Sequence, residues 1–399
     1  MKNLKLYSLL IIGSFFLGLA GCQEDSGLSD LQKESFFKYY GGTEIDEGRD
    51  LVQLDDGSYV ILGTKTRLQQ IGDGIQTEPN TDIILIKTDE FGNKIWERIF
   101  EGSAQGMDSG YALAVDENNG FVIAGTTTDP RNELDGSDTI VVNRPEIILL
   151  KTGSEGNLEW KRQFGLDETD IYGRDVIILD NGDYMLAGLI TQNGITEAIC
   201  IQVAGGTTGL GEEIRRGTSN SLPSGAGLGR RGFSISQALN GTTYLVGNTG
   251  HKDYPSGIFA TGQELLNLFL VKLELTGNSI TLIDNATFGG AGNDQGNAIC
   301  ATEDGAFIIA GSSAGYNSQG FGEQDFFVIK KEPLDGSGNE AYAYEWTNLY
   351  GGADDDIAYS IIPTKDGGYL LAGVTSSFGN NRQQYLVKLS ADGTMQWEK

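Results

Sequence analysis

The sequence predicts an all-β protein, and three observations carry that prediction. An aromatic-led apolar run ending in glycine recurs six times, a turn-forming pair precedes each run, and no stretch beyond the N-terminal segment shows a helical period. The runs are Tyr59–Gly63, Phe121–Gly125, Tyr184–Gly188, Tyr244–Gly247, Phe307–Gly311 and Tyr369–Gly373, with their glycines 62, 63, 59, 64 and 62 residues apart. The turns before them are Asp56-Gly57, Asn119-Gly120, Asn181-Gly182, Asn240-Gly241, Asp304-Gly305 and Asp366-Gly367. Such residues tolerate the positive φ of tight hairpins, so a strand is expected on each side.

Each unit then continues in the same order. A second apolar run ends in lysine at Lys87, Lys151, Lys272, Lys330 and Lys388, and a second turn at Gly92, Gly156, Gly277 or Gly393 leads to a fourth strand. All four tryptophans, Trp96, Trp160, Trp346 and Trp397, fall in that fourth strand. The units therefore read as four short antiparallel strands, A to D. Six such sheets in tandem cannot bury both faces alone, and radial stacking solves this, so the expected fold is a six-bladed β-propeller over residues 36–399. A strand D-like segment, Phe36-Phe37-Lys38-Tyr39-Tyr40, precedes unit one, while unit six has its own strand D at Met395–Lys399. Either could close the ring.

Composition limits the chemistry. With 55 acidic against 28 basic side chains the chain is too acidic for a nucleic-acid partner. One His and three Cys leave little for imidazole catalysis or a thiolate metal site, so any site must use carboxylates, hydroxyls, amides or aromatics. His251 has no Gly-x-Ser-x-Gly elbow to serve, and Cys200 and Cys300 fall in non-adjacent units, where they read as small buried side chains.

Residues 1–21 carry Lys2 and Lys5, no acid, and an apolar stretch too short to span a bilayer comfortably. They end in Leu19-Ala20-Gly21-Cys22, which resembles the bacterial lipobox. The resemblance implies a signal peptide over 1–21, diacylglycerol (palmitate-type) lipidation of Cys22, and a tether over 22–35. Gln23 in place of Asp favours the outer membrane, facing the periplasm or the cell surface, with membrane contact through the anchor only.

The Gly92-x-x-x-Trp96, Gly156-x-x-x-Trp160 and Gly393-x-x-x-Trp397 spacings resemble the tryptophan-docking motif of quinoprotein-type propellers. The wider repeat resembles bacterial surface lipoproteins built of about 60-residue propeller units. What this resemblance implies is a non-enzymatic protein-binding or scaffold propeller whose partner is another envelope protein or assembly. Glycan binding is the alternative, and a carbohydrate-active enzyme the third reading.

Alternating strands place the B–C and D–A connections on one face. There, Asp46, Asp108, Asp170, Asp294 and Asp356 recur at spacings of 62, 62, 124 and 62, with Asp354 and Asp355 beside the last. Their plainest role is to accept backbone N–H bonds within their own turns. A rim that collects Ca²⁺ is the functional reading; no other cofactor is expected. Tyr254, Phe259, Tyr316, Phe321 and Phe378 are the candidate stacking groups for a glycan. The strand C lysines read as solvated stems over apolar surface, or else as salt bridges to repeat acids.

Overall fold

The computed structural model describes residues 39–41, 46–67, 70–71, 74–75, 80–100, 106–128, 131–135, 138–205, 211–218, 230–250, 266–288, 292–302, 304–314, 323–331, 344–378 and 382–399. Cys22, the signal segment, the tether, Tyr254, Phe259, Tyr316 and Phe321 lie outside them.

The described chain is all β, in a propeller-like arrangement of four-stranded antiparallel sheets. Unit one pairs Asp46–Gln53, Tyr59–Arg67, Asn80–Thr88 and Lys94–Phe100, in chain order. Unit two does the same with Asp108–Val115, Phe121–Thr127, Glu146–Thr152 and Leu158–Phe164. Units five (Asp294–Ala301 to Tyr344–Tyr350) and six (Asp356–Pro363 to Met395–Glu398) repeat it. The glycines of the first turns adopt the left-handed conformation that their sequence signature requires, as at Gly57 (φ 84°) and Gly367 (φ 79°).

The expected count of six separate blades is corrected. Four sheets are four-stranded, but units three (Asp170–Ile178 to Glu213–Thr218) and four (Arg230–Gln237 to Ser279–Phe288) form one eight-stranded sheet. Their outer strands meet at a single parallel bridge, Arg216 to Ser279. The cause is local. Opposite the strand C position that faces Trp in the other units, unit three carries Arg215 and unit four Ile283. Beside that bridge, Gly217 brings its backbone so close to Ile280 that a Cβ would lie 2.1 Å from the Ile280 carbonyl oxygen.

Consecutive strands A touch one another from unit one to unit six and so line the axis. Five apolar clusters bridge consecutive units. Leu62, Leu85 and Trp96 of unit one meet Leu113, Phe121 and Ile148 of unit two, and Ile308, Phe326 and Val328 of unit five meet Ile361, Leu371 and Val387 of unit six. The inner joints are built in the same way. Among the described residues no cluster joins unit six to unit one. At that seam Leu51 is 56% and Trp397 42% exposed, although Tyr40 Oη donates to the Gly92 carbonyl at 2.5 Å, as Tyr350 Oη does to Gly393.

The other tryptophans act as joints. Trp96 fills the space over Gly156, Trp160 that over Gly211, and Trp346 that over Gly393. Of the strand C lysines, three take the salt-bridge alternative. Lys151, Lys330 and Lys388 are buried and pair with the acid of their own A–B turn, Asp116 at 2.8 Å, Asp304 at 2.6 Å and Asp366 at 2.9 Å. Unit three substitutes Gln202, which donates to Asp183 at 2.7 Å.

Candidate functional site at the axis

The glycine that marks the repeat has a structural cause. Strand A of every unit bulges by one residue opposite it, at Arg49, Tyr111, Arg174, Phe233, Asn297 and Tyr359. The bulge pushes a strand A carbonyl against strand B. A Cβ on Gly63 would stand 2.5 Å from the Glu47 oxygen, on Gly125 2.2 Å from Ser109, and on Gly188 2.1 Å from Tyr172. Real side chains never reach such distances, so glycine is required there. Because strand A is innermost, each bulge delivers one side chain to the axis.

In units one to three those side chains converge. The Arg49 guanidinium lies 5.2 Å from the Tyr111 ring centroid, and that of Arg174 lies 4.5 Å from Tyr111 and 6.0 Å from Tyr172. Such contacts are worth about 0.5–2 kcal/mol each. Tyr111 and Tyr172 also line a cleft of about 290 Å³ with Glu47, Arg49, Thr64, Thr66, Ser109 and Thr126. The cleft includes Met107, Thr128 and Pro145, which flank the strand ends. It therefore opens on the side of the B–C and D–A connections. Arg49 and Glu47 form an ion pair at its mouth. Burial raises the Tyr172 hydroxyl above the ordinary tyrosine value, with Asp170 adding to the effect and Arg174 opposing it.

The residue after each bulge points to the next unit. The Asp50 carboxylate accepts the Leu113 N–H at 2.7 Å, and Asp175 accepts Ile235 N–H at 2.9 Å and Ser234 Oγ at 2.8 Å. Ser234 Oγ in turn accepts the Ile299 N–H at 3.3 Å. Burial pushes Asp50 and Asp175 up to about 6 despite these bonds, and in Asp175 the charge of Asp50 adds to the rise. These carboxylates are latches between units. At the open seam the equivalent Ser360 is exposed, and the Leu51 N–H, in the place of Leu113, turns back to Asp50.

The recurring loop carboxylates do not converge into one cluster. Asp46 accepts the Thr66 N–H at 3.1 Å, Asp294 accepts Ser313 Oγ, and Asp356 accepts Gly352 N–H at 2.7 Å and Ser377 Oγ at 2.8 Å. Each ties a D–A loop to the end of strand B or the residues after it in its own unit. Asp108 is buried at the equivalent place, Asp354 is exposed and Asp355 half-buried. Asp170 is out of register. Ile171 occupies the corresponding position, because unit three has one more residue between the Asp and the strand A glycine, and Asp170 instead takes Arg144 at 3.4 Å. Among the described residues no three His, Cys, Asp or Glu side chains assemble to hold a metal ion. Phe378, the one described stacking candidate, packs its ring 5.4 Å from Tyr385, away from the cleft residues.

Sequence reasoning missed Arg49, Tyr111 and Arg174. The available signal was a small residue followed by a larger one in every strand A: Gly48-Arg49, Gly110-Tyr111, Gly173-Arg174, Gly232-Phe233, Gly296-Asn297 and Ala358-Tyr359.

No family model and no curated protein matches the chain. Among solved structures, it is similar to a protein of unknown function from Dyadobacter fermentans, at 8% identity and TM-score 0.49, covering 85% of this chain and 93% of the other. An α-L-arabinofuranosidase from Fusarium graminearum is similar at 11% identity and TM-score 0.49, covering 86% and 92%. An α-L-arabinanase from Penicillium chrysogenum is similar at 12% identity and TM-score 0.47, covering 86% and 93%. The expectation of a non-enzymatic scaffold is not matched by these neighbours: the two named by activity are carbohydrate-cleaving enzymes. At these identities the likeness concerns the fold, and the chemistry is argued from this chain's own residues.

Proposed function

We propose that the protein is a carbohydrate-active propeller of glycoside hydrolase-like function, with the axial cleft as its substrate site. One observation carries the reading: units one to three bring two tyrosine rings, six serine and threonine hydroxyls and the Glu47–Arg49 pair into one cleft of about 290 Å³. Tyrosine rings offer faces for sugar C–H groups, and the hydroxyls of Thr64, Thr66, Ser109 and Thr126 supply the polar partners a saccharide needs. Glu47 is the carboxylate placed for proton transfer, because it lines the cleft while Asp50 is committed to the Leu113 backbone. The test is release of reducing ends from a panel of plant and microbial polysaccharides by purified residues 23–399. Turnover that falls by about 10²-fold or more in Glu47→Gln supports the reading; turnover unchanged in that variant, or none on any polysaccharide, removes it.

The six repeat units act, in this reading, as six blades around one axis, units three and four sharing an edge. The lipobox-like Leu19-Ala20-Gly21-Cys22 supports lipid anchoring of the body to the outer membrane. Cys22→Ala would then shift the protein from the membrane to the soluble fraction, and an unchanged distribution would refute the anchor.

A further inference from the structure

We infer that the axial cleft is built for an acidic saccharide, one carrying a uronate-type carboxylate, which Arg174 receives from beside the cleft, where it packs on the lining rings of Tyr111 and Tyr172. The inference rests on the carbohydrate reading of the cleft and adds the substrate class. Its starting point is an uncompensated charge. Arg174 is half-buried, and among the described residues its guanidinium makes no ion pair and no hydrogen bond; its Nε is buried without a partner. Its contacts are the rings of Tyr111 and Tyr172, both of which line the cleft.

The neighbouring acids are already engaged. Asp175 accepts Val176 N–H, Ile235 N–H and Ser234 Oγ, and Asp170 takes Arg144. The Arg174 Nε is withdrawn from water, which costs free energy without a partner, and the planar fork of a guanidinium matches a carboxylate in a two-bond geometry. In a chain of formal net charge −27, a half-buried cation without an acidic partner at the axis is the opposite of what bulk composition would place there. Arg49 flanks Tyr111 from unit one, and its own ion pair is with a Glu47 side chain that is half exposed, so that pair can rearrange toward a ligand.

The same charge limits the ligand. The acidic body repels a dense polyanion, so the fitting ligand is a short oligosaccharide with widely spaced carboxylates, its hydroxyls meeting Ser109 and Thr126. The experiment is calorimetric titration of residues 23–399 with trimers of galacturonate, glucuronate and mannuronate, each beside its carboxyl-reduced neutral counterpart. At least one acidic trimer is expected to bind about tenfold or more tightly than its reduced form. Arg174→Gln is expected to abolish that preference and Arg174→Lys to restore part of it, with unchanged thermal unfolding confirming that both variants fold. Equal binding of acidic and reduced trimers, or a preference that survives Arg174→Gln, overturns the inference. Glu47-dependent cleavage of neutral polysaccharides without any acid preference would leave the carbohydrate reading standing and this inference refuted; absence of any saccharide binding or turnover would overturn both.

Discussion

Replacing Asp175 with Asn tests whether the latches between units work as described. The folded protein holds this carboxyl at about 6 against an ordinary 3.8, because its charge is enclosed between strands. A rise of about two pH units at ~1.4 kcal/mol each makes the buried charge cost about 3 kcal/mol. The sign follows from which state holds the proton. Below about pH 4 both folded and unfolded chains are protonated and nothing is lost. Between about pH 4 and 6 the folded chain binds the proton while the unfolded chain releases it, so stability falls as pH rises, and above about 6 the loss is complete. Asn cannot titrate, but it can accept at one oxygen only, where Asp175 accepts Val176 N–H on one and Ile235 N–H with Ser234 Oγ on the other, a loss of about 1–3 kcal/mol. Asp175→Asn should therefore be clearly less stable than the parent near pH 4 and approach or pass it near pH 7. Urea unfolding of both proteins across that range measures the difference directly, and Asp50, present in both, largely cancels. A stability difference that stays flat with pH would show that the carboxylate is not enclosed in the joint.

Three other outcomes are expected. Gly188→Ala places a Cβ 2.1 Å from the Tyr172 carbonyl oxygen and should cost at least ~2 kcal/mol in chemical denaturation, whereas Gly182→Ala, left-handed but in open space, should cost about 1 kcal/mol. Trp96→Ala, at a closed joint, should lose about 3–5 kcal/mol by the same measurement and Trp397→Ala under about 1; equal losses would mean that the last unit has a joint after all. Lys330→Met removes the partner of Asp304 and Glu345, which lie 2.6 and 3.0 Å from the ammonium but are partly solvated, and should cost about 1 kcal/mol near neutral pH. Burial would raise the Asp304 carboxyl, but the bonds from Lys330, Thr302 and the Ala306 N–H hold it at about 2. The parent's advantage should therefore shrink as pH falls from about 4 toward 2, which acid titration of the two proteins would show.

Much of the fold was legible because the repeat leaves its mark where backbone geometry is least forgiving. The left-handed turns and the strand B glycines fixed unit length, strand order and the face on which the long connections emerge. The axial site was not legible for the opposite reason. Strand A of unit one reads Asp46-Glu47-Gly48-Arg49-Asp50, with no apolar alternation, since its inner face meets an axis lined with polar groups. Only the pairing register shows that Arg49 is extra and Asp50 faces the next unit. Asp170 misled because constant spacing was taken as constant position, and one added residue moved Ile171 into its place. The lysines left two readings open because a stem ending in a charge looks alike whether it reaches water or the acid of a neighbouring turn. The expectation of a scaffold came from the family resemblance rather than from any residue, so nothing in the repeat itself defended it.

Among the described residues no apolar cluster joins units six and one, and this has a mechanical consequence. Every interior unit shares apolar clusters with two neighbours, while each terminal unit, among the described residues, shares one with a single neighbour, and stability in such an array is close to a sum of nearest-neighbour terms. Opening is thus cheapest at the outermost sheets and dearest at the fused pair in the middle. Amide hydrogen exchange would trace that gradient as slow protons in Tyr184–Gln192 and faster ones in Gln383–Leu389.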